Sequence, residues 1–518
     1  MDTSQRQITR AAMTVMAAFL LSNLTGLVRQ VLIADAFGTS RVLDAFTAAQ
    51  RVPGILFDLV AGGALASAFV PAFTGFLTRE DRAGAWRLAS GVLTLVALVL
   101  AAASALCAVF APQVIRVVAA GLAPDEAALA VALLRILLIA PTLFGVSGLL
   151  MGLLNAHQHF LLPALAPTFY WLGMIFGLVV WTPTLGIYGL AWGAVLGAGL
   201  HLLIQAPGLR GLPQVRLRPA FGLDNPAVRE VIRLMGPRLL GVAAVQLNFL
   251  VNTALATYLP GGASALDYAW RIFTMPQVII AQAIAIAALP AFSAMAARGE
   301  VAAMRASLAD TLRLILFLTL PATVGLLILA RPVVALLFER GQFDAVSTAL
   351  VAWPLAMYTL GLASHSVVEI VARAYYALKD TWTPVWIGAT AMLLNVALNF
   401  ALAALFTAAG WPAHAGLALA NTLATTLEML GLAWLMRRRL GGLALDRVWP
   451  GLWRTALATA LMGVALAGWA AASSGWSVWI VGLGGVGLGG AVFWAAAYAL
   501  RSPEARQLPE MALRRLRR

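Results

Sequence analysis

Three ionisable residues recur at intervals of seven near the start of the chain: Asp44, Arg51 and Asp58. Seven residues is nearly two full helical turns, so on an α-helix the three form one stripe. Pro53 lies inside the stripe, where it removes a backbone donor and frees a carbonyl. Arg29 and Arg271 sit in other long apolar stretches. An ionisable side chain at the centre of a bilayer costs about 2.5–3.5 kcal/mol on insertion scales, so it needs a partner or a wet cavity. At about 1.5 Å rise per residue, Arg29, Arg51 and Arg271 all fall roughly 8–15 Å from the outer ends of their helices. Guanidinium presents paired donors that match phosphate, so these arginines predict one cationic patch for an anionic, phosphate-bearing substrate. The opposing reading has each arginine snorkelling to the outer interface.

Other polar residues suggest quieter roles. Glu369 and Arg373, four apart, predict a mutual ion pair. Asn395 and Asn399 lie one turn apart, and Asn252 and Asn421 sit in two further apolar stretches. Amides in a membrane usually bond neighbouring helices, and a cation site using their oxygens is the alternative. The five histidines are scattered, with His157 and His159 in a predicted short loop, so a metal site is not expected. One cysteine, Cys107, excludes an intrachain disulfide and a thiolate metal cluster. The run Gly482-Leu483-Gly484-Gly485-Val486-Gly487 matches G-x-G-x-x-G, yet it lies mid-span rather than after a strand. Close helix packing at Gly485 and Gly489 explains it better.

The elements that must position these groups are membrane helices. Of 518 residues, 62% are hydrophobic and 11% charged, and the mean hydropathy is +0.89. A soluble domain carries roughly 25% charged residues, so too little charge is present to cover a water-facing surface. The apolar residues come in runs long enough to cross a bilayer core of about 30 Å, and a helix satisfies its own backbone there. Reading runs against charged or Pro/Gly breaks gives about fourteen spans, from 11–37 and 43–77 through 230–259 and 346–377 to 477–500. The first is too long for a signal-peptide core and no small-residue cleavage site follows it. The net charge of +14 points to basic loops against anionic lipid rather than to nucleic acid.

Lys and Arg set the orientation. With the N-terminus inside, the inner segments hold Arg6, Arg10, Arg79, Arg82, Arg87, Arg210, Arg216, Arg218, Arg229, Arg298, Arg305, Lys379, Arg437, Arg438, Arg439, Arg447 and the tail from Arg501. The outer loops hold only Arg41, Arg116, Arg331 and Arg340. Both termini are therefore expected in the cytoplasm. The first twelve spans look duplicated: Val70-Pro71-Ala72-Phe73 recurs as Leu289-Pro290-Ala291-Phe292, and the break at Leu154-Asn155-Ala156-His157 recurs at Tyr375-Tyr376-Ala377-Leu378-Lys379. Six spans is an even number, so the two halves keep one orientation, a device of transporters that bind substrate near the interface between halves.

At this point the residues resemble a known family. Gly26-Leu27-Val28-Arg29, Leu43-Asp44-Ala45-Phe46, Arg51-Val52-Pro53-Gly54, Gly63-Ala64-Leu65 and Ala68-Phe69-Val70-Pro71 look like the N-terminal signature of the lipid II flippases, the MurJ/MviN family. Met235-Gly236-Pro237, Tyr268-Ala269-Trp270-Arg271, Leu337-Phe338-Glu339-Arg340-Gly341 and Arg373 through Thr381 add to it. The resemblance implies an all-α polytopic fold of about fourteen helices, in the multidrug/oligosaccharidyl-lipid/polysaccharide exporter superfamily. It would comprise two parallel six-helix lobes in a V shape plus two C-terminal helices that add a groove for a polyprenyl tail. It implies as substrate the lipid-linked disaccharide-peptide pyrophosphate precursor of peptidoglycan, moved from inner to outer leaflet. Arg29, Asp44, Arg51 and Arg271 match the family's cavity residues by position, and Asp58 belongs to the same stripe. Asn252, Asn395 and Asn399 match loosely the sodium positions of some relatives. Where relatives often carry arginine, this chain has Asn23, Phe57 and Asp58, which makes its cavity less basic.

The resulting expectation is an N-lobe over 1–206, a cytoplasmic linker 207–229, a C-lobe over 230–436, a lipid-tail groove over 437–500 and a basic tail 501–518. The protein would act as a monomer in the bacterial inner membrane by alternating access, without cofactor and with no nucleic-acid partner, driven by sodium or by the membrane potential. No P-loop is visible, and export of negative charge from an inside-negative cell is favoured by about 2.3 kcal/mol per charge per 100 mV. The alternatives are a polysaccharide-lipid or drug/cation exporter of the same superfamily and a polyprenyl-phosphate glycosyltransferase. The last needs a catalytic carboxylate in a sizeable loop, and the outer loops here are short and carry few acids.

Overall fold

The computed structural model describes the backbone of residues 3–60, 64–212, 215 and 217–507, and side chains from residue 15 except 59–67, 213, 214, 216, 236–241, 243 and 244. The basic tail beyond 507, Arg6, Arg10, Arg216 and the Gly63-Ala64-Leu65 motif fall wholly or in their side chains outside these residues. Within them the chain is helical throughout, with a single isolated β-bridge between Arg340 and Phe343.

Packing divides the chain into two units, Met1–Ala263 and Ser264–Arg518. In the first, α1 (Thr3–Phe37), α2 (Arg41–Val60), α3 (Ala64–Thr78), α4 (Arg82–Val109), α5 (Pro124–Leu137), α6 (Ala140–Ala156), α7 (Leu161–Phe176), α8 (Ile187–Leu203) and α9 (Pro226–Ala256) follow one another, with short helical segments such as Ala111–Val118 and Ala206–Arg210 between some of them. In the second, α10 (Gly262–Gln277), which starts at the boundary, is followed by α11 (Ala283–Ala297), α12 (Val301–Ile328), α13 (Ala330–Phe338), α14 (Ala345–Thr359), α15 (Leu362–Ala377), α16 (Trp382–Ala408), α17 (Ala413–Arg439), α18 (Leu445–Ala472) and α19 (Val478–Ala499).

Among the described residues eleven helices, some of them joined pairs, are long and apolar enough to cross a membrane. The count is twelve if α14 and α15, bent by 45° at their break, form one span. The expected number was about fourteen, and the two expected spans that do not qualify are 43–77 and 230–259. Each of these two stretches lies partly outside the described residues, and their described parts include the shorter apolar helical segments Ala68–Thr78 and Val245–Ala256.

The duplication shows in the backbone. Ten residues with positive φ fall in five pairs separated by 219–224 positions: Gly38 and Gly261, Glu80 and Gly299, Gln158 and Lys379, Gly186 and Gly410, Gly222 and Gly441. Two pairs, Glu80 with Gly299 and Gln158 with Lys379, lie just past the end of a helix in both halves. The repeated Pro-Ala-Phe element does the same work twice. Phe73 is fully buried in a core with Phe69, Trp86 and Leu153, and Phe292 in a core with Leu308, Ile370 and Leu432. By repeat register α9 opens the second half, yet it packs in the first unit.

Several helix starts are fixed by side-chain caps. Asp81 accepts from the Gly84 amide at 2.7 Å, Asn225 from Ala227 at 3.0 Å, and Asp344 from Ser347 at 2.8 Å. The Ser347 amide holds the Asp344 carboxyl below its ordinary value. Its contribution is therefore complete above the usual carboxylate range and is lost as pH falls through the lowered value. Replacing Asp344 with alanine is expected to cost about 1 kcal/mol, read as a lower thermal midpoint in detergent at pH 7, with the gap to wild type closing in acid.

Candidate functional site

The acid-base stripe of α2 does form one face, and that face meets α9. Gln246 donates its amide N–H to Asp58 Oδ2 at 2.7 Å. Arg51 donates through Nε to Thr253 Oγ1 at 3.2 Å and lies over the Phe249 ring at 5.3 Å. Asp44, fully buried, accepts from the Gly261 amide at 2.7 Å. The helices run antiparallel, so the step from 51 to 58 on α2 is answered by the step from 253 to 246 on α9. Asn252, also on α9, donates to Asn248 at 3.3 Å. Thr253 and Gln246, which bond Arg51 and Asp58, are thus uncharged residues at the same spacing of seven. That periodicity at Gln246 and Thr253 was the available sequence signal.

At the α2 start the seam continues into loops. Arg41 donates to the Thr257 carbonyl at 2.9 Å and faces Glu126 at 3.6 Å. The Thr257 hydroxyl accepts from the Gly121 amide at 3.1 Å. Gly261 has φ +74°, and a Cβ there would stand 2.3 Å from the Thr39 carbonyl oxygen. Only glycine fits this position.

Arg29 is 3% exposed, so it does not snorkel. Its guanidinium lies 4.3 Å from the centre of the Trp171 ring and donates to Gln30 Oε1 at 2.6 Å. The ring reaches it because α1 carries Gly26 there, whose absent Cβ would come within 3.3 Å of the indole nitrogen. The first unit therefore holds two arginines, each on an aromatic face, an arrangement that keeps a cation in apolar surroundings.

The second unit holds the remaining expected residues. Arg271 on α10 bonds Asp267 one turn back at 2.7 Å, with both side chains partly exposed. Asn399 donates to Asn395 at 3.0 Å on α16, both fully buried. Glu369 and Arg373 form the expected pair at 3.1 Å. Among the described residues no group of three His, Cys, Asp or Glu is placed to hold a metal. An apolar cavity of about 540 Å³ is lined by Met275 of α10, Phe317 of α12, Met462 of α18 and Gly485, Gly489 and Phe493 of α19. The G-x-G-x-x-G run serves packing here, since a Cβ on Gly485 would meet Leu329 at 2.9 Å and one on Gly489 would meet Leu466 at 3.2 Å.

Apolar spans that bury an ordered charged seam and surround an apolar cavity define a polytopic membrane transporter. A family model described as lipid II flippase MurJ matches residues 33–486. A lipid II flippase MurJ of Burkholderia cenocepacia is 34% identical over 438 residues, covering 83% of this chain and 84% of the relative. A probable lipid II flippase MurJ of Synechocystis is 32% identical over 480 residues, covering 90% and 88%. The chain belongs to the lipid II flippase MurJ family. Its fold is also that of a solved lipid II flippase MurJ in an inward closed conformation, with TM-score 0.78 at 22% identity over 93% of this chain and 97% of that one. An inward-facing multidrug resistance MATE family transporter of the MOP superfamily gives 0.70 at 15% identity, over 83% and 98%.

Proposed function

We propose that this protein moves lipid II from the inner to the outer leaflet of the bacterial cytoplasmic membrane by alternating access, as a monomer with both termini in the cytoplasm. A sugar-peptide head cannot cross hydrocarbon unaided, because each unsatisfied polar group costs kilocalories. Within the two six-helix lobes, Arg51 and Arg271 hold the pyrophosphate, while Arg29, Asp44 and Asp58 set the charge and hydration around it. The membrane potential, rather than a sodium ion on Asn252, Asn395 and Asn399, drives the cycle, because outward movement of negative charge is downhill.

The observation that carries this reading is the apolar cavity closed by α18 and α19. A transporter of water-soluble drugs has no use for a dry recess of that size, whereas an isoprenoid tail needs one. Gly490 borders the cavity, and a Cβ there would meet nothing within 4 Å. Gly490→Phe therefore carries a ring toward the recess from an unobstructed Cβ, and Gly490→Ala does not fill it. In cells depleted of their own essential flippase, wild type and Gly490→Ala are expected to restore growth and outer-leaflet exposure of the precursor. Gly490→Phe is expected to lower exposure several-fold at equal expression. Full export by Gly490→Phe would remove the tail site, and failure of the wild type to rescue would overturn the function.

A further inference from the structure

The second unit contains a carboxyl within a span that the transport reading does not use. Glu428 lies near the middle of α17, about two and a half turns before the Arg437-Arg438-Arg439 cluster. It is half-buried, and among the described residues no hydrogen bond or ion pair is made to it. Helix α16 faces it with Gly388, where a Cβ would stand 3.2 Å from Glu428 Oε1, and α16 has no titratable residue.

Helix α15 supplies the neighbouring charges. Glu369, Arg373 and Glu428 all act electrostatically on the Tyr376 hydroxyl. Arg373 is bonded to Glu369 at 3.1 Å and lies over the Tyr376 ring at 5.7 Å. The other titratable groups on the packed helices are engaged elsewhere: His365 with Asn421, His414 with the Leu350 carbonyl and Tyr375 with the Leu432 carbonyl. Tyr358 of α14 stacks among Trp270 and Phe273. The interior portions of α14 to α17 thus carry two acids, Glu369 and Glu428, and one arginine, which already serves Glu369. A second carboxylate in a span can shed its charge only by binding a cation, and the smallest that needs no coordination shell is a proton.

We propose that Glu428 is a proton-binding site of the second unit: its carboxylate takes a proton from water, becomes a neutral carboxyl, and returns the proton to water when the surrounding helices rearrange. The role of this site in a transport cycle rests on the flippase reading; the protonation itself does not. The test is infrared difference spectroscopy of the full-length protein in lipid nanodiscs during pH titration. Wild type is expected to show the carbonyl stretch of a protonated carboxylic acid at neutral pH, fading as pH rises. Glu428→Gln is expected to lose that band and Glu369→Gln to keep one. If Glu428→Gln does not fold, Glu428→Asp is expected to shift the band. A band unchanged by either Glu428 substitution, or none in wild type, overturns the proposal. In the export assay, Glu428→Gln is expected to flatten the pH dependence. No export by wild type, with its band present and lost in Glu428→Gln, would count against the flippase reading and leave the proton site standing.

Discussion

Arg51→Ala is expected to lower precursor export about a hundredfold or more, with Arg271→Ala close behind and Arg51→Lys recovering only part. Hydrogen bonds to charged groups contribute about 1.5–3 kcal/mol each, a guanidinium offers two to one phosphate, and each 1.4 kcal/mol is tenfold. Lysine restores the charge without the fork. Arg51 also bonds Thr253, so a loss on its own would be ambiguous. Thr253→Val separates the two roles, because it removes the helix-pairing bond and leaves the guanidinium in place. Export near the wild-type level in Thr253→Val, with loss in Arg51→Ala at equal expression, identifies a substrate contact. Equal loss in both would make Arg51 a packing residue and sink its assignment to the pyrophosphate.

The second large effect is on stability, at the junction of Asp44 and Gly261. Asp44→Ala removes a fully buried acceptor from the Gly261 amide, which is expected to cost about 1.5–3 kcal/mol. Asp44→Asn keeps a carbonyl oxygen for that amide and is expected to be markedly milder. Gly261→Ala combines a left-handed backbone, worth about 1–2 kcal/mol of strain, with a Cβ 2.3 Å from the Thr39 oxygen, and is expected to exceed either. Thermal unfolding in detergent ranks the three. Asp44→Asn as damaging as Asp44→Ala would show that charge, not acceptance, is what the position requires.

Local patterns were legible in the sequence and partners across the fold were not. Spacing of seven placed Asp44, Arg51 and Asp58 on one face, and spacing of four paired Glu369 with Arg373, because helical periodicity alone decides both. The same spacing joins Asp267 to Arg271, yet the arginine was read without it. The stripe's partner helix stayed hidden because Gln246 and Thr253 are uncharged, and no charge pattern pointed from one helix to the other. Trp171 under Arg29 was equally invisible, since the contact depends on Gly26 letting α7 approach. Hydropathy gave an all-helical membrane protein, but it cannot tell a polar helix that crosses beside a polar neighbour from one that does not cross. A groove at the C-terminal helices was implied only by the family resemblance, and the α19 glycines alone do not distinguish packing from a vacancy. Glu428 drew no attention because a lone acid in a span has no spacing to read.

The matched heptads of α2 and α9 restrict how the first unit can move. If one helix slid past the other by a turn, Arg51 would leave Thr253 and Asp58 would leave Gln246 in the same instant. The two bonds therefore oppose piston motion together, and a rearrangement that keeps both carries α2 and α9 as a pair.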